Sequence, residues 1–286
     1  MASEGLLSMV GTPIGNLSDA SPRAVETLRD SDVILCEDTR VTARLLAHFG
    51  IRVPLQRADE NVLARRIEAT LGRLASGEHV SFVSDAGMPG VSDPGQRLVD
   101  AALDAGIRVE VIPGPSAVIC ALVASGLPME RFFFEGFLPR KRGAQLARLR
   151  ELAPIPATLV LYESPHRVVA TLAVLAEVFP LRRVALVREL TKLHEEVVRG
   201  RAPEVASLVS ERAALRGECV LVVEGPVAGE GGLSSPAVPA TSLDDAIAAG
   251  LSAGEGKARL AKRLSRELGL PRSEVYDRIV GLSDEA

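Results

Sequence analysis

Residues 84–95 read Ser-Asp-Ala-Gly-Met-Pro-Gly-Val-Ser-Asp-Pro-Gly, directly after the apolar run His79–Val83. Three glycines, two prolines and two Ser-Asp pairs in one loop point to binding through the backbone. Glycine lets amides approach a ligand closely and permits positive φ. Proline fixes the loop's shape and removes competing donors. The carboxyl end of a parallel strand is where open α/β sheets bind small molecules. Gly, Pro, Ser and Asp are also ordinary turn formers, so one such loop alone is equally a structural turn. A second loop, Ile112-Pro113-Gly114-Pro115-Ser116-Ala117, follows the apolar run Val109–Ile112 and opens a helix through Ala124. A third, Gly11-Thr12-Pro13-Ile14-Gly15-Asn16-Leu17-Ser18-Asp19, follows Leu6–Val10. None is Gly-x-Gly-x-x-Gly or ends in Gly-Lys-Ser/Thr, so neither a dinucleotide nor a nucleoside triphosphate is the indicated ligand.

The elements that carry these loops follow from periodicity. Leu6–Val10, Val33–Cys36, His79–Val83 and Val109–Ile112 read as short buried strands. Ser21 and Pro22 form an N-cap and first helical position, predicting a helix to Arg29. Thr39–Phe49 predicts a helix stopped by Gly50. Glu60–Ser76 predicts another, with Val62, Leu63, Ile67, Leu71 and Leu74 as its apolar face and Gly77 as its stop. Asp93-Pro94 repeats the cap-plus-proline start, and Gly106 ends that helix. A second series has strands at Phe132–Phe134, Ala157–Tyr162, Arg183–Val187, Glu195–Arg199 and Glu218–Glu224. Helices at Gly143–Leu152, Pro165–Val178 and Pro203–Leu215 interleave with them. Strands alternating with helices predict α/β layers and mostly parallel sheets. Phe132-Phe133-Phe134 reads as core.

The two series meet near Ser125-Gly126-Leu127-Pro128, which divides an N-terminal α/β domain, 1–125, from a second, 126–225. Residues 226–241 are dominated by Pro, Gly, Ser, Ala and Thr and read as a flexible linker. Residues 242–286 predict helices at Ser242–Ala249, Gly256–Leu268 and Ser273–Leu282, with Ser273 as an N-cap. That module resembles a helix-turn-helix and is too short to hold much core alone.

Composition narrows the function. The chain has 286 residues, enough for two domains, and is 47% hydrophobic, enough for real cores. No apolar run approaches the length of a membrane-crossing helix, and Met1–Gly5 carries no basic segment leading into an apolar core, so no secretory signal is expected. Cys36, Cys120 and Cys219 lie scattered in apolar runs, which reads as buried thiols in a reducing cytoplasm. His48, His79, His166 and His194 have no ligand spacing, so no zinc site is expected. A net charge of −4 argues against indiscriminate polyanion binding. Yet Leu138–Arg150 holds five basic residues and no acid, and Gly256–Arg278 holds seven against three acids. Such runs are commonly solvated helix faces; two of them in an acidic chain also fit a directed polyanion contact.

The motifs in order resemble the tetrapyrrole methylase superfamily of S-adenosyl-L-methionine-dependent methyltransferases. Within it they are similar to the bacterial 16S rRNA ribose 2′-O-methyltransferase I group, which methylates a cytidine. The matching segments are Val10–Leu17, Cys36-Glu37-Asp38-Thr39-Arg40, Ser84–Gly95, Ile112–Ala117, Phe134–Lys141 and Tyr162-Glu163-Ser164-Pro165-His166-Arg167. The Ser84–Gly95 loop marks the superfamily, and the Glu-Asp-Thr-Arg and Tyr-Glu-Ser-Pro-His-Arg segments narrow it to the rRNA group. The resemblance implies two α/β domains of the tetrapyrrole methylase type with the cofactor in a cleft between them, plus a small C-terminal helical module. It also implies a homodimer acting on 16S rRNA within the 30S subunit, without membrane or metal.

Position in the family pattern assigns Pro13, Ile14, Asp85, Ala86, Gly87, Met88, Ser116, Ala117 and Tyr162 to the cofactor. Pro13 and Ile14 also suit plain packing, and Tyr162 a core position with a satisfied hydroxyl. A base that takes the ribose proton would assist transfer. Glu37, Asp38, Glu163, His166 and Glu189 are candidates, with Glu163, Asp38 and His166 the leading three and Glu163 favoured as base or hydroxyl orienter. Asp38 and Arg40 equally suit a helix cap and surface ion pair. Arg40, Arg140, Lys141 and Arg167 suit phosphate contacts. The competing functions are methylation of a tetrapyrrole or other small molecule, and a non-catalytic ribosome-assembly factor with a vestigial pocket.

Overall fold

The computed structural model describes residues 5–90, 94–212, 214–227, 243–252, 255–268 and 272–284. Asp93, expected to cap a helix, and residues 228–241 of the expected linker lie outside them. The chain divides into two compact units, Met1–Glu230 and Gly231–Ala286.

The first unit holds two five-stranded sheets. The first sheet is built from β1 (Leu6–Val10), β2 (Val33–Cys36), β3 (Leu55–Arg57), β4 (His79–Val83) and β5 (Arg108–Ile112), in the order β3-β2-β4-β1-β5 with every pairing parallel. The three-residue β3 is too short to leave a periodic signal and was not expected. Helices α1 (Pro22–Asp30), α2 (Thr39–His48), α3 (Glu60–Ala75) and α4 (Gln96–Asp104) cover its faces. Alternation along the strands makes this possible. Leu7, Met9, Leu35 and Phe82 pack with Leu63, Leu74 and Leu98. Val10, Ile34, Cys36 and Val83 pack with Ala24, Leu28 and Leu46.

Local signals fixed these boundaries well. Ser21 accepts a bond from the Ala24 amide at 3.1 Å and Pro22 opens α1. Gly50, Gly77 and Gly106 all sit at positive φ where the sequence stops its helices. The start of α4 differs: it begins at Gln96 on an N-cap Gly95 at φ 134, with no side-chain cap, so Pro94 is not its first helical residue.

The second sheet contains β6 (Phe132–Phe137), β7 (Thr158–Glu163), β8 (Arg183–Arg188), β9 (Glu196–Arg201) and β10 (Cys219–Val223), in the order β6-β7-β10-β8-β9. Only β6–β7 is parallel; the other three pairings are antiparallel. The expectation of mostly parallel sheets fails here because β10 inserts, reversed, between β7 and β8, and because β9 runs back antiparallel beside β8. Order of elements along a chain does not encode such an insertion. Phe132 proves exposed at 44%, not core.

Both faces of this sheet are covered. Leu159, Leu161, Val184, Leu186, Leu221 and Val223 face α6 (Arg142–Leu152), α7 (Val168–Val178) and α8 (Ala202–Ser210). The alternate residues Val160, Ala185, Val187, Val220 and Val222 face α5 (Ala117–Ser125). Thus α5 belongs by packing to the second sheet although it follows a first-sheet strand, so the change of sheet precedes residue 125. α7 starts three residues later, and α8 ends five earlier, than the sequence predicted.

Among the described residues the second unit has three helices, α9 (Leu243–Ser252), α10 (Lys257–Leu268) and α11 (Arg272–Asp284). Ile247, Leu260, Leu264, Val275 and Ile279 form its core. Ser273, expected as a cap, lies inside α11. Lys257, Arg259, Lys262 and Arg263 are exposed on α10; Arg263 pairs with Glu255 at 2.9 Å, and Arg278 with Asp244 at 2.6 Å. Among the described residues no helix is long and apolar enough to cross a membrane.

Candidate functional site

The three Gly/Pro loops follow β1, β4 and β5, which lie side by side as β4-β1-β5. From the centre of the sheet, β1 leads to β2 on one side and β4 leads to β5 on the other. That reversal opens a crevice at the carboxyl ends of the strands. The loops interlock through their backbones. Thr12 and Gly87 exchange amide–carbonyl bonds of 2.9 and 3.1 Å. The Gly11 amide donates to the Ile112 carbonyl at 3.0 Å, and the Gly114 amide to Met88 Sδ at 3.2 Å. A Cβ on Gly114 would stand 2.7 Å from the Gly11 carbonyl carbon, so glycine is obligatory where these two loops cross.

A cavity of about 380 Å³ opens above these loops. Ile14, Ala86, Gly87, Met88, Ser116 and Ala117 form its first wall. Its opposite wall comes from the second sheet: Phe137, Tyr162 to Pro165, Val187, Leu190 and Gly217 to Val220. Tyr162 packs edge-on to Phe134 at 4.9 Å, and Phe137 lies 5.6 Å from the same ring. Cys219 is also there, its thiol pushed up to about 11 chiefly by burial, so it stays protonated at neutral pH. Among the described residues no group of three His, Cys, Asp or Glu could hold a metal ion.

A second cavity, about 500 Å³, adjoins the first and shares Ile14, Ala86 and Glu218 with it. Pro13 and Asp85 line this one rather than the first. Asp85 Oδ1 accepts the Asp38 amide at 3.0 Å, and the Asp85 amide donates to Glu37 Oε1 at 3.2 Å, so its carboxylate braces the end of β2.

Of the three leading acid–base candidates only Glu163 reaches the first cavity. It is 3% exposed. Its Oε2 accepts from Thr171 Oγ1 at 2.7 Å, and its Oε1 accepts from the Ser164 amide at 2.8 Å and lies 3.4 Å from Arg167 Nε. Asp38 caps α2 through the Arg40 amide at 2.8 Å and pairs with the Arg40 guanidinium at 2.6 Å. Those bonds from Arg40 hold its carboxyl far below the usual range, and it lines neither cavity. His166 is exposed and lines neither.

The four basic candidates separate likewise. Arg140 and Lys141 are exposed, and among the described residues neither pairs with a carboxylate. Arg40 is 87% exposed but its fork is taken by Asp38. Arg167 donates to the Leu138 and Pro139 carbonyls at 2.9 and 3.2 Å, which ties the Tyr162–Arg167 segment to the loop before α6.

Sequence reasoning missed Phe137, Val187, Leu190 and Gly217–Val220. The only local signal was Gly217-Glu218 at the mouth of an apolar strand; their place in the wall depends on the reversed insertion of β10.

Residues 6–206 match the family model of tetrapyrrole (corrin/porphyrin) methylases. The "Ribosomal RNA small subunit methyltransferase I" of Xylella fastidiosa is 50% identical over 230 residues, covering 79% of this chain and 83% of that protein. The protein of the same name from Synechocystis sp. is 40% identical over 273 residues, 95% of this chain and 96% of that one. Among solved structures, uroporphyrin III C-methyltransferase from Thermus thermophilus has a TM-score of 0.55 at 22% identity, covering 77% of this chain and 97% of its own. Diphthine synthase has a TM-score of 0.58 at 20% identity, covering 77% and 90%. At those identities the two structures speak for the fold alone.

Proposed function

This chain belongs to the tetrapyrrole methylase family, and we propose that its cleft transfers a methyl group from S-adenosyl-L-methionine to the ribose 2′-oxygen of a cytidine in 16S rRNA, within the 30S subunit. The coarser activity, methylation of small-subunit rRNA with S-adenosyl-L-methionine as donor, rests on relatives of that name matching 79% and 95% of the chain. The observation that supports the finer reading is a mostly apolar cavity walled on one side by interlocked glycine loops and on the other by side chains that include Tyr162, Glu163 and Glu218.

The residues present fit the donor. A volume of about 380 Å³ lies within the roughly 300–1,000 Å³ of small-molecule pockets, and an apolar lining with few polar groups is typical of them. Gly87, at φ 80, faces Ile14 Cγ2 so closely that a Cβ would stand 3.3 Å from it. When bound, the donor supplies a methyl group already activated by its sulfonium. Ile14, Ala86, Gly87, Met88, Ser116, Ala117 and Tyr162 hold it, while Pro13 and Asp85 support the loops from the adjoining cavity. Phe137 and Leu190 exclude water. Alignment of two bound reactants lowers a barrier by up to roughly 7–11 kcal/mol in ideal cases, and the interlocked loops are built for it. Glu163 fixes the Ser164–Arg167 turn at the mouth, with Arg167 clamping it. Arg140 and Lys141 are the exposed cations for RNA phosphates; Arg40 needs Asp38 to release it first, and His166 offers a further contact at the same turn.

A second copy of the chain is the proposed partner in solution, supported by exposed Val111 on the edge strand β5 and by Ile119 and Val123 on α5. The work is proposed to take place in the cytoplasm, where the 30S subunit is. The proposed division is an N-terminal α/β domain over 1–125, whose last helix α5 packs on the second sheet, a second α/β domain over 126–225, and an accessory module over 242–286. Mass spectrometry of 16S rRNA from cells with and without the gene tests the reading: one ribose methyl on a cytidine should disappear. An unchanged ribose-methylation pattern would reject it.

A further inference from the structure

We infer that Glu218 takes the proton of the attacking 2′-hydroxyl and that Lys192 holds it in position to do so. This rests on the reaction proposed above. The two cavities meet at Ile14, Ala86 and Glu218, so a donor in one and a nucleoside in the other would face each other across this carboxylate. Three carboxylates line the two cavities. Glu163 is buried with both oxygens engaged, and Asp85 braces Asp38. Glu218 is 73% exposed; its Oε2 meets Lys192 Nζ at 2.9 Å, and among the described residues its Oε1 takes no hydrogen bond.

The support for Glu218 is built, not incidental. Lys192 Nζ also meets Glu189 Oε1 at 2.9 Å, and Glu189 Oε1 accepts the Glu218 amide at 3.1 Å. Burial pulls the ammonium's pKa down, but the two carboxylates together overcome this and leave it above the ordinary lysine range. An ammonium has three donors, so one remains beyond the two carboxylates. The loop that presents it is strained: Glu189 and Thr191, neither a glycine, sit at φ 53 and 64. Such conformations cost free energy and cluster at functional sites. Two glycines clear the space. A Cβ on Gly217 would stand 2.1 Å from Glu189 Oε1, and one on Gly15 would stand 2.7 Å from Lys192 Cγ. Gly15 belongs to the loop after β1, so the device is also docked onto the opposite wall.

In the step, a bond forms between the 2′-oxygen and the methyl carbon while the carbon–sulfur bond breaks, its electron pair staying on sulfur. The 2′-proton passes to the Glu218 carboxylate and from there to water. The products are the ribose methyl ether, S-adenosylhomocysteine and a proton.

The test uses the full chain, S-adenosyl-L-methionine and 30S subunits from cells lacking the gene. Glu218→Gln should bind the donor within twofold of wild type by calorimetry and lose about 100-fold in single-turnover transfer, the lower end for a lost proton acceptor. Glu218→Asp should recover part of that rate. Lys192→Met should lower kcat with KM for the donor unchanged, and Lys192→Arg should restore it. A Glu218→Gln rate within threefold of wild type would overturn the inference. If that variant does not fold, Lys192→Met decides: wild-type turnover there overturns it. Wild-type protein that methylates no ribose would instead reject the underlying reaction, a separate result.

Discussion

The two walls of the cleft are made of different material. The wall from the parallel sheet is backbone: glycine amides and carbonyls locked by Thr12–Gly87 and Gly11–Ile112 bonds, with few charges aimed at the cavity. The wall from the mixed sheet is side chain: Tyr162, Glu163 and Glu218, with Arg167 beside Glu163 and the Lys192–Glu189 pair holding Glu218. A backbone wall cannot be adjusted one group at a time and suits an invariant cofactor. A side-chain wall can place protons and charges where an acceptor needs them. The division of labour proposed here, donor on one side and acceptor chemistry on the other, follows from that contrast.

The sharpest way to break the contrast is Gly114→Ala. Its Cβ meets backbone that cannot rotate away. Overpacking of this kind costs about 1–3 kcal/mol, and donor affinity should fall at least tenfold by calorimetry. Gly72, inside α3, has nothing within 4 Å of an added Cβ; Gly72→Ala should leave affinity unchanged and gain about 0.5–1 kcal/mol in urea unfolding.

Next, on the side-chain wall, Thr171→Val removes the hydroxyl that satisfies buried Glu163 Oε2. An unsatisfied buried group costs about 1–3 kcal/mol, so unfolding stability should drop by that amount, while the first-wall loops keep their donor affinity to within a few fold.

Smaller again, Lys141→Ala should weaken RNA binding at every sequence and reduce the slope of log K against log salt by about 0.7–0.9, one phosphate contact. Donor affinity should stay as it was. An unchanged slope would remove Lys141 from the RNA surface.

The smallest effect concerns Asp38. Its folded pKa is depressed, first by the side-chain bond from Arg40. A depressed carboxyl contributes stability at pH values above its unfolded pKa and loses it as pH falls toward the folded one. Asp38→Asn keeps an N-cap but removes the charge. The Tm gap between wild type and variant should therefore be widest near neutrality and close as pH drops below about 3.9, the ordinary Asp value. A gap that widens in acid would contradict the assignment.

The same contrast explains what could be read from the chain. Backbone geometry is written locally, because a glycine at φ 80 or a proline fixing a loop shows in the residue type itself. The three loops, the Ser21–Pro22 start and the Gly50, Gly77 and Gly106 stops were therefore visible. The second wall is non-local. Lys192 meets Glu218 across 26 positions, and only the reversal of β10 between β7 and β8 brings them together. No periodicity announces an antiparallel insertion. Likewise Asp38 and Glu163 share the carboxylate's suitability as a base, and only their bonds to Arg40 and Thr171 reveal how each is held.

The most direct measurement is transfer of labelled methyl from S-adenosyl-L-methionine onto 30S subunits from cells lacking the gene, followed by nuclease digestion and nucleoside mass spectrometry. One label per subunit, recovered on the ribose of a cytidine, is the predicted result. Label on a base, on protein or on no nucleoside would contradict the account.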